Sequence, residues 1–335
     1  MSSSLFPQIA PGERLVGIAR LAAEGEAVEE GHNVDYITLE NRSVLTRCNS
    51  PRMPFPWMIN PYRGCEFACK YCYARYTHEF MEMREGLDFE RKIFVKQHTA
   101  WLLRQELKKV RPGESIAIGT ATDPYQPAER RFGVTRALLD EFALHSGLEI
   151  GLVTKSRLIL RDVPVLKKIS ENNKLSICVT VTTLKTDLAR MLEPRAPRPD
   201  LRLDAVQRLV KAGIRAGVNC APVLPGITDS PSDLENLIKA SARAGAAFVY
   251  TNPLFLKPCA EKVFMPFLEE KFPHLVTMYR ERYASRAFLP PEYGERISTL
   301  IKKYCQKYGL NAGEYRKAAS GDSTHVSEQL GLFSA

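Results

Sequence analysis

The sequence predicts an α/β fold, a partial (β/α)6 barrel with an N-terminal arm and a helical C-terminal extension. Three observations lead there. Between residues 57 and 257, strand patterns rich in β-branched residues alternate with segments of helical period, giving six β/α units. Regular alternation of this kind builds a parallel sheet with helices outside it, and six units fall short of the eight that close a barrel. Polar, proline-rich stretches follow the strands, at the end where such barrels carry their chemistry.

Residues 1–56 read as an arm of weak periodicity, with a short strand at 35–40 and an irregular linker from Pro51 to Pro56. Residues 57–62 form the first barrel strand and 115–119 the second, followed by a helix over 134–145. The third strand is 149–154, and Asp162 is an N-cap for the helix that runs to Asn172. Strands at 174–183, 214–221 and 246–253 complete the set, with helices at 201–212 and 232–244 between them. Residues 258–317 are mainly helical, with a break at Leu289-Pro290-Pro291. Residues 318–335 are small and polar and predict an unfolded tail.

The 335 residues carry a net charge of +9, which favours a polyanionic partner, although the positive residues are dispersed. No apolar run is long enough to span a bilayer. Met1-Ser-Ser-Ser-Leu-Phe-Pro-Gln lacks the basic and apolar regions of a signal peptide. The cysteines show no even framework, so a reducing, cytoplasmic setting is expected.

Chemistry is concentrated in Asn60-Pro-Tyr-Arg-Gly-Cys65-Glu-Phe-Ala-Cys69-Lys-Tyr-Cys72-Tyr-Ala-Arg75, a C-x3-C-x2-C pattern. Three thiolates are one short of the four that hold a cubane iron–sulfur cluster, which leaves one iron open to a small molecule. Three-quarters of a zinc site is the alternative, with His78 as the fourth ligand. The other cysteines (Cys48, Cys178, Cys220, Cys259 and Cys305) stand singly. The predicted rim adds a loop from Thr120 to Glu129, then Thr154-Lys155-Ser156, then Cys178, Thr180 and Thr182 on one strand face, and a proline-rich loop from Asn219 to Asp229.

Taken together, these pieces resemble the radical S-adenosylmethionine (SAM) superfamily and, within it, the spore photoproduct lyase-like family. The resemblance runs from about Phe55 to Leu256 and rests on Asn-Pro-Tyr-Arg-Gly-Cys at 60–65, Thr-Asp-Pro-Tyr-Gln-Pro at 122–127, Thr-Lys-Ser at 154–156, Leu192-Glu-Pro-Arg-Ala-Pro197 and the Pro222 loop. It implies a TIM-like radical SAM barrel in which Cys65, Cys69 and Cys72 ligate a [4Fe-4S] cluster. Tyr71, Thr122, Asp123, Lys155 and Thr180 are then the SAM-binding positions, Thr122 at the amino group and Lys155 near the carboxylate. The family chemistry follows: one electron from the cluster cleaves SAM to methionine and a 5′-deoxyadenosyl radical, which takes hydrogen from the substrate. A one-electron reductant such as flavodoxin or ferredoxin is an implied partner. Tyr71 and Tyr73 match tyrosines that relay the radical in the lyases. The lyases carry a hydrogen-donating cysteine where this chain has Thr120, whose O–H bond is too strong for that task. Cys259 is then either a substitute thiol or a structural cysteine.

Two further stretches bear on the substrate. Between Met278 and Phe288, basic and aromatic residues alternate, and Tyr279 and Tyr283 share a helix face. That face either stacks bases or packs against the barrel. Gln329, Leu330, Leu332 and Phe333 near the end resemble the peptide by which bacterial repair proteins bind the DNA polymerase sliding clamp. The resulting expectation is a radical SAM enzyme acting on nucleic acid, DNA before RNA, in repair. RNA- or peptide-modifying chemistry and a non-enzymatic zinc or nucleic-acid-binding protein are the alternatives. The tail is testable on its own: deleting residues 328–335 should leave SAM cleavage intact and abolish clamp binding. Phe333→Ala alone should cost roughly 2 kcal/mol or more, and calorimetry with a tail peptide showing no heat would remove this argument for DNA.

Overall fold

Six parallel strands form the centre of the computed structural model, which describes residues 15–25, 27–31, 33–50 and 53–312. They are numbered β1 (Trp57–Ile59), β2 (Ser115–Ile118), β3 (Glu149–Thr154), β4 (Lys174–Thr180), β5 (Ala216–Val223) and β6 (Phe248–Pro253). They pair in that order. Leu45–Arg47 adds antiparallel to β1 at one edge, and Asn311–Ala312 adds parallel to β6 at the other. The sheet is therefore open, a partial barrel with both edges occupied by short strands.

The crossover helices are α1 (Thr99–Glu106), α2 (Val134–Phe142), α3 (Val163–Asn172), α4 (Pro199–Lys211) and α5 (Pro231–Arg243). Proline opens α4 and α5, where its missing N–H has no helical partner to lose. Their apolar faces join the sheet in one core. Leu138, Leu139 and Phe142 of α2, Leu166 and Ile169 of α3, and Val206 and Leu209 of α4 pack with Ile116, Leu152, Ile177 and Val218. The strand and helix positions expected from the sequence are all present, shifted by a few residues at their ends.

The departures have physical causes. The expected first strand ends at Ile59, because Pro61 has no N–H for a ladder. Tyr62 and Arg63 pair instead with a strand at Lys92–Lys96. That strand also takes Val34–Leu39 in parallel, so a second, four-stranded sheet joins part of the arm to the segment after the cysteines. The helix at Thr186–Leu192 is likewise additional.

The C-terminal extension contains α6 (Pro258–Lys271), α7 (Val276–Tyr283) and α8 (Pro291–Lys307), with the expected break before Pro291. Tyr279 and Tyr283 are buried, and their hydroxyls donate to the carbonyls of Pro225 and Leu254 at 2.9 Å each. Their rings stack on each other at 5.9 Å. These tyrosines fasten α7 to the barrel rim, which agrees with packing against the barrel and not with base stacking as the role of this face. The tail residues Gln329, Leu330, Leu332 and Phe333 lie outside the described residues.

The antiparallel edge strand is anchored by one carboxylate. Glu106 is buried and accepts from the amides of Val44 (2.9 Å) and Leu45 (2.8 Å). Glu106→Ala should therefore lower stability by about 1.5–3 kcal/mol, the range for hydrogen bonds to a charged acceptor. Urea unfolding should show a lower midpoint at an unchanged slope.

Candidate active site

The cysteine loop lies over the C-terminal ends of β1 and β2 and is held there by polar side chains. Gln126 is fully buried; its Nε2 donates to the Gly64 carbonyl (3.1 Å) while its Oε1 accepts from the Glu66 amide (2.9 Å). Thr122 donates to the same Gly64 carbonyl at 2.6 Å and accepts from Gln126 at 2.9 Å. Glu66 in turn accepts from the Ala128 amide (2.7 Å) and the Tyr36 hydroxyl (3.1 Å). Gly64 has φ +83°, and a methyl group there would lie 2.7 Å from the Lys92 carbonyl oxygen and 2.8 Å from that of Phe89. Only glycine fits this approach. Beyond the loop, buried Arg75 pairs with buried Glu90 and donates to the Cys69 carbonyl at 3.1 Å.

Cys65 and Cys69 are buried and Cys72 is half-buried. Burial pushes all three thiols up, Cys69 to about 12, and each feels a neighbouring cysteine or cation. The charges of Asp123, Cys69 and Cys72 add to burial at Cys65, so the three sulfurs and Asp123 share one electrostatic site. Bare thiolates are costly here, and bound iron would supply the compensating charge. His78 is buried against Phe89 and Phe94, with Nε2 3.0 Å from the Lys92 carbonyl oxygen. Burial lowers its pKa to about 4. Three thiols beside Lys155 and Arg75, whose charges favour the thiolates of Cys69 and Cys72, fit a [4Fe-4S] cluster, which takes its thiolates on separate irons.

Beside the cysteines lies a buried ion network that centres on a residue not singled out as a site from the sequence. Glu193 is 1 % exposed. Its Oε2 lies 2.5 Å from an Arg202 guanidinium nitrogen, its Oε1 accepts from the Tyr71 hydroxyl, and the Lys155 ammonium is 4.0 Å away. Burial works against its charge, yet Arg202 and Lys155 keep its carboxyl below the usual range. Burial and the Glu193 charge raise the Tyr71 hydroxyl far above its ordinary value. Burial opposes the charge of Lys155 too, but Cys69 and Glu193 hold its pKa above ordinary. Lys155 also lies 5.8 Å from the centre of the Tyr71 ring. Arg202 carries the network onward to the carbonyls of Thr180 (3.2 Å) and Pro197 (2.6 Å). The signal in the sequence was the Leu192-Glu-Pro-Arg piece; Arg202 was not singled out.

The structure thus brings Tyr71, Lys155 and the cysteines together, with Thr180 joined through its carbonyl. The Thr180 hydroxyl accepts from Asn219 at 3.3 Å. Asp123 is close enough for its charge to act on Cys65 and Lys155. Its two oxygens accept from Thr154 Oγ1 and the Lys155 amide at 2.7 Å each, tying the β2 exit to the β3 exit. Burial pushes its carboxyl up. Gly119 makes the turn into this loop with φ +88°. Tyr73 faces the other way, 37 % exposed, and donates to the Thr120 carbonyl. The Thr120 side chain is paired with Asn60, whose amide nitrogen lies 3.1 Å from its hydroxyl oxygen. Cys259 is buried with its thiol 3.6 Å from the Tyr73 carbonyl oxygen, and burial raises its pKa to about 11.

Comparison with known proteins agrees with this geometry. The family model of the radical SAM superfamily matches residues 59–240, more than half of the chain. The chain belongs to the radical SAM superfamily. An uncharacterised protein of Mycobacterium tuberculosis H37Rv is 37 % identical over 315 residues, covering 92 % of this chain and 89 % of the relative. An uncharacterised protein of Methanocaldococcus jannaschii is 28 % identical over 247 residues, 74 % and 86 % of the two chains. A spore photoproduct lyase mutant with bound AdoMet and dinucleoside spore photoproduct superposes with a TM-score of 0.63 at 15 % identity, over 91 % of this chain and 86 % of that one. SuiB of Streptococcus suis bound to S-adenosylmethionine gives 0.50 at 13 % identity, over 76 % and 49 %. Membership makes this radical SAM protein an enzyme that uses SAM and a [4Fe-4S] cluster.

Two variants separate the cofactors. Reconstituted wild-type protein should bind about four irons per chain, and Cys69→Ala should lose them together with SAM cleavage. Lys155→Ala should keep its iron and bind SAM more weakly by about 1.5–3 kcal/mol, read by titration with electron paramagnetic resonance. Equal affinities would leave Lys155 with Glu193 alone.

Proposed function

We propose that this radical SAM enzyme acts on nucleic acid, DNA in the first place, in a repair reaction of the spore photoproduct lyase-like class. The observation that carries the reading is an aromatic surface that begins at the cysteine loop. Phe255 and Phe288 stack at 4.3 Å with 20° between their planes, and Phe288 is 41 % exposed. Tyr73, next to Cys72, lies 6.0 Å from Phe255. The Lys257 ammonium sits 3.7 Å from the centre of the Tyr76 ring and 5.8 Å from that of Phe255. The exposed parts of Tyr73 and Phe288, with half-buried Phe255 and Tyr76 and the cation of Lys257 beside them, suit an unstacked base and its phosphate. The bound dinucleoside in the lyase, which covers most of both chains, supports the same class of substrate.

When bound, the cluster and SAM supply a carbon radical able to take hydrogen from an unactivated C–H bond. The chain's own residues orient and enclose. Cys65, Cys69 and Cys72 hold the cluster, and Lys155 offers its charge to the SAM carboxylate. Thr122 and Asp123 act by fixing the loops around that site, since their polar atoms are already bonded within the protein. Tyr71 stays inside, on Glu193. Tyr73 meets the substrate and is the residue placed to pass a hydrogen atom. Thr120 gives no thiol, so spore photoproduct itself should be repaired poorly. A flavodoxin- or ferredoxin-type reductant and a cytoplasmic setting complete the proposal. Among the described residues, no helix is long and apolar enough to cross a membrane.

The test is anaerobic incubation with SAM, reductant and either lesion-bearing DNA, RNA or peptide, followed by mass spectrometry for 5′-deoxyadenosine and altered nucleosides. Stimulation by DNA is expected; stimulation by RNA or peptide alone would overturn the assignment. Phe288→Ala should weaken oligonucleotide binding by about 1–3 kcal/mol, the worth of one stacked base, and leave substrate-free SAM cleavage unchanged. Fluorescence anisotropy measures the first and chromatography the second.

A further inference from the structure

The first half of the cysteine loop is joined to the chain just after the helix Thr186–Leu192. The Lys70 amide donates to the Leu192 carbonyl at 2.9 Å, and the Arg195 amide donates to the Phe67 carbonyl at 3.4 Å. Cys65, Phe67 and Cys69 are buried, whereas Arg195 is exposed and Lys70 half-buried. Arg131 is exposed beside them, its guanidinium 5.3 Å from the centre of the Tyr36 ring, whose hydroxyl donates to Glu66 at 3.1 Å. Burial pushes the Glu66 carboxyl up, while the charges of Arg195 and Arg131 both pull it down, so the three lie in one neighbourhood.

Little negative charge offsets these cations. Glu66 is buried and bonded to Ala128 and Tyr36. Lys70 acts on Glu270, but Glu270 is paired with Lys271 at 2.7 Å. Lys70 and Arg195 have no ion-pair partner among the described residues. Unpaired surface cations are ordinary in a chain of net charge +9; the position of these sets them apart. Lys70 directly follows Cys69, and Arg195 bonds to the residue midway between Cys65 and Cys69. A partner seated on them is a few bonds from two cluster ligands, where the distance for electron transfer is short.

This face is also separate from the aromatic surface. α6 meets Tyr73 at Cys259 and comes near Lys70 at Glu270. At 1.5 Å per residue, that length of helix spans about 16 Å. Phe67 and Tyr36 are buried here, so the cations lack the stacking platform that suits a single strand.

We propose that Lys70, Arg131 and Arg195 form the docking face for the electron donor, an acidic one-electron carrier protein with a flavin or iron–sulfur centre. Complementary charge speeds and orients such short-lived encounters. One electron leaves the reduced carrier and enters the cluster held by Cys65, Cys69 and Cys72; no bond in this chain changes. The proposal rests on the carrier named in the reading above and not on its nucleic-acid substrate.

The test compares reconstituted wild type with Lys70→Gln/Arg195→Gln and with Lys239→Gln/Arg243→Gln, which removes the same charge from exposed positions on α5. The carriers are an acidic flavodoxin and an acidic ferredoxin of the same organism. In low salt, calorimetry with the oxidised carrier should show binding about tenfold weaker for the first variant and unchanged for the second. The KM for reduced carrier in SAM cleavage should rise in step. Iron content, dithionite-driven cleavage and oligonucleotide binding should be equal in wild type and the first variant. Added salt should bring wild-type binding down towards that variant. Equal carrier affinity in wild type and the first variant would overturn the face, as would an equal loss in both variants. A first variant that keeps the carrier and loses the oligonucleotide would give the face to nucleic acid instead. A wild type that binds neither carrier, while dithionite still drives cleavage, would overturn the carrier and the face and leave the nucleic-acid reading standing.

Discussion

A carboxylate as deeply buried as Glu193 cannot remain charged unless its surroundings supply the compensation that water would give. Here that compensation comes from three separate parts of the chain: Arg202 on α4, Lys155 at the exit of β3 and Tyr71 in the cysteine loop. One charge thus sets the mutual position of three rim segments. Removing any partner would leave the others unpaired in a low-dielectric interior. Asp123, whose carboxylate accepts from the Lys155 amide and acts on the Lys155 charge, adds a second negative neighbour to this network.

The cysteine loop needs this bracing because it has little regular structure of its own. Its backbone is fixed from one side by Gln126 and Thr122, from another by Arg75, and through Glu66 to Tyr36 in the second sheet. Asp123 then joins the loop after β2 to the loop after β3. Neighbouring strand exits are cross-linked by side chains, and a parallel sheet aligns those exits on one side. The mouth is consequently a rigid frame into which thiols can be set at a fixed separation, which matters for a cluster that tolerates little variation in ligand geometry.

Much of this was legible in the sequence. The six barrel strands were legible as short apolar, β-branched runs bounded by turn residues. The cysteine spacing pointed to a cluster site. What stayed hidden was long-range pairing. Nothing local distinguishes Glu193, buried in an ion network, from an exposed glutamate. Thr122 and Asp123 stand as SAM-binding positions from the family resemblance alone, and nothing local tells of their hydrogen bonds to residues 58 and 31–32 positions away, which tie that loop to its neighbours. The second sheet was missed for a similar reason: Lys92–Lys96 is a short strand whose partners, Val34–Leu39 and Tyr62–Arg63, both lie before the cysteines in the chain.

Tyrosine makes the same point at closer range. Tyr279 and Tyr283, with arginines beside them, have the composition of a base-stacking face, yet their hydroxyls are spent on backbone carbonyls and their rings on the core. Tyr71 and Tyr73, two residues apart, look like equal members of one relay. After Cys72 the chain turns into a short 3-10 helix, Tyr73–Arg75, and the two rings part. Tyr71 goes inward to Glu193, where burial and a neighbouring negative charge make loss of its proton costly. Tyr73 goes outward to Thr120 and Phe255. If hydrogen passes between protein and substrate, the exposed ring is the one that can meet the substrate, and the buried one acts on it only through the loop they share. The division follows from environment, since the two side chains are chemically the same.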